Sequence, residues 1–118
     1  MGGKITEYGK VLRIIRMNSG ELLKDMASKL DVTSSYLSAI ENGKRNIPQE
    51  FTEKIIAIYN LDTKTKVDLE LAETKSTDCI KLNLKNASAE QQDLAFAFAK
   101  RLKRLDKKAI NEIKMYLK

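Results

Sequence analysis

Between Met26 and Asn42 two short amphipathic segments flank a break only two residues long, and this spacing leaves the chain few ways to fold. The first segment, about Glu21 to Leu30, carries an apolar face of Leu22 or Leu23, Met26, Ala27 and Leu30. Asn18 or Ser19 is available to cap it, and Asn18 with Glu21 has capping-box spacing. Asp31-Val32 interrupts the pattern, and Thr33 is a ready N-cap for a second segment, Ser34 to Glu41 or Asn42. Leu37 and Ile40 face inward from it, and Asn42-Gly43 ends it, with Gly43 able to turn left-handed. Helices this short are not stable alone. They must cross closely, which requires a small residue such as Ala27, and they must pack on further elements.

Those elements are predicted on both sides. Tyr8, Val11, Leu12 and Ile15 give a helix over about Thr6–Met17. Phe51, Ile55, Ile58 and Tyr59 give another over Gln49–Asn60. Thr63 to about Lys75 is ambiguous: Val67, Leu69 and Leu71 alternate like a strand, but the composition favours a helix. Ile80, Leu82 and Leu84 alternate with Lys81, Asn83 and Lys85, the clearest strand pattern in the chain. Ser88 and Gln91 form a capping box for a helix reaching about Leu105, and Asp106 caps a last one.

What is missing narrows the chemistry. The chain has no His and one Cys, Cys79, so no His-based relay and no His-bearing zinc site is available. Its five glycines make no phosphate-binding loop. No enzyme activity, cofactor or metal is expected. A single cysteine and no membrane-length apolar run point to a cytoplasmic protein without a membrane role. Met1-Gly2-Gly3 begins a stretch that fits a myristoylation pattern, read as a chance match. The net charge of +6 favours an anionic partner.

The run from Met26 to Pro48, with Met26-Ala27, Val32-Thr33, Ile40-Glu41 and Gly43-Lys44-Arg45, resembles the Cro/C1-type (Xre) helix-turn-helix family of transcriptional regulators. The resemblance covers about Thr6 to Asp62. It implies an all-α fold: a five-helix lambda-repressor-like DNA-binding domain over residues 1–75, followed here by a short strand and two C-terminal helices over 76–118. It implies double-stranded DNA as partner, with the second motif helix in the major groove. By position, Thr33, Ser34, Ser35 and Ala39 fall where the family touches base edges or adjacent phosphates. Tyr36, Ser38, Asn42, Lys44 and Arg45 fall near its phosphate contacts. Arg16 and Glu41 match a structural ion pair. Two features depart from the pattern. Leu22 and Leu23 stand where the family often has Thr-Gln, and Asp31 replaces the turn glycine.

The basic surplus lies elsewhere. Residues 79–118 carry ten Lys/Arg against four Asp/Glu, whereas residues 1–78 carry twelve of each. A lone strand leaves its backbone groups unpaired. Pairing of Ile80, Leu82 and Leu84 with a second copy, supported by Leu94, Phe98 and Leu102, would give a homodimer. A hairpin with Val67–Leu71 is the alternative. The functional expectation is a dimeric, sequence-specific DNA-binding regulator, a repressor of phage, mobile-element or antitoxin type. The alternative is a protein-interaction module, antitoxin-like or adaptor, whose C-terminal helices bind a protein partner.

Overall fold

The computed structural model describes residues 4–118, which form seven α-helices. The myristoylation-like start lies outside the described residues. The helices are α1 (Glu7–Ser19), α2 (Leu23–Lys29), α3 (Ser34–Glu41), α4 (Phe51–Tyr59), α5 (Thr63–Ser76), α6 (Ala89–Arg101) and α7 (Lys107–Tyr116), with a 3-10 turn at Leu102–Arg104. They divide into two compact units, one ending at Ile80 and one spanning Lys81–Lys118.

Local sequence explains most helix ends. The hydroxyls of Thr6 and Thr33 accept from the backbone N–H of Gly9 and Tyr36, each at 3.0 Å. Asp62 and Asp106 accept likewise from Thr65 and Ala109. Ser88 and Gln91 cap α6 reciprocally. Each such cap contributes about 1 kcal/mol. The start of α2 departs from expectation. Asn18 and Ser19 extend α1, which ends on left-handed Gly20. Leu22 becomes the N-cap and offers no acceptor, so the Asp25 carboxylate accepts from its N–H at 2.8 Å.

The core of the first unit joins Tyr8, Leu12 and Ile15 of α1 to Met26, Ala27 and Leu30, Leu37 and Ile40, Phe51 and Ile55, and Leu69 and Ala72. The ambiguous Val67–Leu71 stretch lies within α5. Leu69 and Ala72 face the core, one helical turn apart, while Val67 and Leu71 face solvent. A polar chain crosses this core. The Tyr8 hydroxyl lies 2.9 Å from the Thr52 hydroxyl, which donates to Glu73 at 2.6 Å. Because Thr52 gives its proton to Glu73, Tyr8 is the donor to Thr52. Burial pushes the ionisation of Tyr8 well above the usual tyrosine value. The folded state therefore resists losing this proton, while the unfolded chain loses it near pH 10. The Tyr8 contribution is fully present below about pH 10 and is lost as pH rises above it. Urea midpoints measured from pH 8 to 12 are expected to fall above pH 10, and a Tyr8→Phe chain should fall less steeply.

The short strand expected at Ile80–Leu84 is not present, and no strand occurs among the described residues. The physical reason is the lack of a ladder partner. Val67–Leu71, the other alternating stretch, is helical, so the intrachain hairpin does not form and no strand lies beside Ile80–Leu84 among the described residues. The segment runs without regular structure, with Ile80 79% and Leu82 63% exposed.

Candidate nucleic-acid interface

The residues that could meet an external ligand in the first unit gather on α3 and the loop behind it. Leu37, Ile40 and Glu41 face inward and are buried. Helical spacing then turns Ser35, Ala39 and Asn42 to the opposite side, with Ser38 and Tyr36 flanking them. Thr33 and Ser35 are exposed, and Ser34, Tyr36, Ser38 and Ala39 are half-buried. The outer surface of α3 is thus short, small and polar at its N-terminal end.

The helix is held from three directions. The Arg16 guanidinium, 7% exposed, forms a two-pronged ion pair with Glu41, 2% exposed. Arg16 Nη2 donates to Glu41 Oε1 at 3.2 Å, and Nη1 donates to Oε2 and lies 3.4 Å from the sulfur of Met26. Arg13 adds its Nε 3.5 Å from Glu41 Oε1 at the solvent edge. The Glu41 carbonyl accepts from the Thr6 N–H at 2.9 Å and the Thr6 hydroxyl at 3.0 Å. Among the described residues no buried side-chain polar atom lacks a partner. A fully satisfied polar cluster of this kind fixes one orientation of α3.

Gly9 makes this approach possible. A Cβ built there would lie 2.3 Å from the Glu41 carbonyl oxygen and 2.9 Å from the Ile5 side chain. Gly9→Ala is therefore expected to push α1 away from the end of α3 and cost about 1–3 kcal/mol, read as a lowered urea midpoint. An unchanged midpoint would show that α1 can shift freely here.

Behind α3 the chain is also tethered. Gly43 is left-handed at φ +74°, and the N–H groups of Lys44 and Arg45 both donate to the Ala39 carbonyl, at 2.8 and 3.2 Å. The Arg45 guanidinium lies over the Tyr36 ring, 5.7 Å from its centre, a cation–π distance. Lys44 and Arg45 are exposed. Asn42 is differently engaged: its side-chain amide donates to the Ser38 carbonyl at 2.9 Å, closing the end of α3.

The two departures in the motif resolve structurally. Asp31 takes the left-handed conformation at φ +58°, so the turn forms without glycine, at some backbone cost. Leu22 is exposed at the start of α2 and carries no polar group for a ligand. Glu21 beside it binds Lys29 and accepts from the Tyr59 hydroxyl at 2.6 Å. Those hydrogen bonds, Lys29 first and Tyr59 second, hold its carboxyl below the usual range.

The C-terminal residues expected at a dimer contact do not form one surface around a strand. Ile80 and Leu82 are exposed and Leu84 half-buried in the irregular segment. Leu94, Phe98 and Leu102 lie exposed on α6 and the following turn. Sequence reasoning missed Thr6, Gly9 and Arg13. The only signal for Gly9 was a glycine on the apolar side of a helix, where glycine is disfavoured unless something approaches closely.

No group of three or more His, Cys, Asp or Glu side chains suited to a metal ion occurs among the described residues. No helix there is long and apolar enough to cross a membrane. No curated protein and no solved structure matches the chain. A family described as a helix-turn-helix domain matches residues 9–71, which takes in α2, the turn at Asp31 and α3. With that match covering more than half of the sequence, the chain belongs to the helix-turn-helix domain family.

Proposed function

We propose that this chain is a sequence-specific DNA-binding regulator of Cro/C1 type, acting as a dimeric repressor of the kind found in phages, mobile elements and antitoxin operons. One observation carries the reading. An α3 held rigidly by Arg16 and Glu41 presents Ser35 and Ala39 outward between Thr33 at one end and Lys44 and Arg45 at the other. Small polar residues allow a helix to enter a major groove, and the two cations suit the phosphates beside it. Serine hydroxyls can donate to or accept from any base edge, so each copy reads sequence permissively. Two copies on half-sites about 34 Å apart would supply the remaining specificity. Repression follows by occupying promoter DNA in competition with polymerase. The protein acts by binding rather than catalysis, in keeping with a sequence that has no histidine.

The test is a gel-shift on DNA flanking the protein's own gene, repeated across salt concentrations. Binding should weaken steeply as salt rises. Lys44→Ala and Arg45→Ala should each reduce the slope of log K against log salt by about 1. Salt-independent binding, or slopes unchanged in both variants, would overturn the assignment of these residues. A second reading, a protein-interaction module, is favoured by the exposed apolar side chains of α6 and α7. Sequence-independent DNA binding alone would support it over the first.

A further inference from the structure

Six cations crowd into residues 100–108 of the C-terminal unit. Lys100 and Arg101 end α6, Lys103 and Arg104 lie in the 3-10 turn, and Lys107 and Lys108 begin α7. All six are exposed. None of them forms an ion pair among the described residues, where every salt bridge falls between Glu7 and Asp68. The one acid inside the run, Asp106, is engaged as the cap of α7, accepting from the Ala109 N–H at 2.8 Å.

Helix chemistry accounts for only part of this arrangement. Lys100 and Arg101 suit the C-terminal end of α6, where the helix dipole is negative. Lys107 and Lys108 occupy the first two positions of α7, whose first turn holds no acid, and there the dipole disfavours them. The run spans at most about 20 Å of chain. Neighbouring charges in it therefore lie within a Debye length, about 10 Å at 0.1 M salt, and repel one another. A partner with closely spaced negative charge relieves both costs. Duplex DNA carries one such charge per about 1.7 Å of its axis.

The rest of the chain points to that partner over other polyanions. Residues 1–78, which contain the helix-turn-helix, hold twelve Lys/Arg and twelve Asp/Glu, so they bring no net charge to a duplex. Phosphate contact supplies essentially all sequence-independent DNA affinity. Beside α3 only Lys44 and Arg45 were assigned to it. Residues 79–118, with ten Lys/Arg against four Asp/Glu, carry the whole excess of +6. A neutral reader and a basic segment on one chain divide recognition from attraction.

We propose that the Lys100–Lys108 run is a second DNA contact, a sequence-independent phosphate-binding site that supplies most of the salt-dependent affinity of the chain. The proposal rests on the DNA-binding reading above and extends it to the C-terminal unit.

The experiment compares two triple variants of the full chain, each losing three positive charges from residues 79–118. One is Lys103→Gln/Arg104→Gln/Lys107→Gln, and the other is Lys81→Gln/Lys85→Gln/Lys114→Gln. Binding is measured across salt on the flanking DNA and on an unrelated duplex. The first triple should lower the slope of log K against log salt by about 2–3. It should also weaken both duplexes by the same factor, roughly tenfold or more at about 0.1 M salt. The second triple should change the slope by less than about 1. A charge-keeping triple, Lys103→Arg/Arg104→Lys/Lys107→Arg, should bind like the parent, with circular dichroism unchanged in all three. Equal loss in the first two triples would show a diffuse effect of net charge and overturn the site. So would a loss in the charge-keeping triple. An unchanged slope in the first triple, with Lys44→Ala still lowering it, would overturn the proposal and leave the regulator reading standing. If that triple instead loses only binding to phosphatidylserine vesicles, the run serves a membrane surface and the proposal falls. A parent chain that binds neither duplex would overturn both readings.

Discussion

Glu41→Ala is expected to destabilise the first unit by about 3–5 kcal/mol, because it leaves the Arg16 guanidinium buried without its counter-charge. Arg16 is 7% exposed, so water cannot replace the carboxylate without opening the packing around α1 and α3. The substitution isolates the side chain. The Glu41 backbone carbonyl would still accept from the Thr6 N–H and hydroxyl, so the end of α3 keeps its anchor to α1. A domain of ordinary stability, about 5–15 kcal/mol, would lose a large share of it. Urea denaturation followed by circular dichroism should show the midpoint falling with little change in slope. Arg16→Met combined with Glu41→Leu should recover most of the loss, since removing both charges leaves nothing stranded. A loss under about 1 kcal/mol for Glu41→Ala would mean that the pair behaves as a solvated surface bridge.

This cluster also shows how far the sequence could be read. Thr33, Ser34–Glu41 and Gly43 announce a helix and both its ends through local chemistry, because caps and turns depend on neighbours within four residues. Arg16 and Glu41 are legible only through resemblance, since nothing local joins residues on separate helices. Gly9 and Arg13 depend on where α3 ends in space, and no period or propensity reports that. Asp31 marks a limit of a different kind. Its residue type argues against a left-handed turn, yet the packing of Val32, Leu37 and Ile40 demands one, and tertiary burial outweighs the local preference. The error at Ile80–Leu84 has the same origin in reverse. Alternation describes a strand's two faces but says nothing of its edges, and a segment with no ladder partner stays irregular however regular its pattern.

The same pinned geometry makes the reading face testable without disturbing the fold. Ser34→Glu with Ser35→Glu is expected to reduce DNA affinity on the order of 100-fold or more, since like charges brought together cost several kcal/mol at an interface. The usual objection to such a result, that the variant has unfolded, is answered by position. Thr33 is the N-cap, so Ser34 and Ser35 occupy the first two helical positions of α3. Carboxylates there interact favourably with the helix dipole and with free N–H groups, so the helix itself should be as stable or slightly more so. Ser35 is exposed, and Ser34 is half-buried at the start of the helix, so neither replacement enters the core. The Thr33 hydroxyl keeps its bond to the Tyr36 N–H, and Arg16 with Glu41 keeps the helix in place. Thermal melts of the variant should therefore match the parent, while its gel-shift on the flanking DNA disappears. Retained affinity with an intact fold would exclude the N-terminal end of α3 from the contact. Loss of affinity together with an unchanged midpoint would tie binding to the face that Ser35 and Ala39 present.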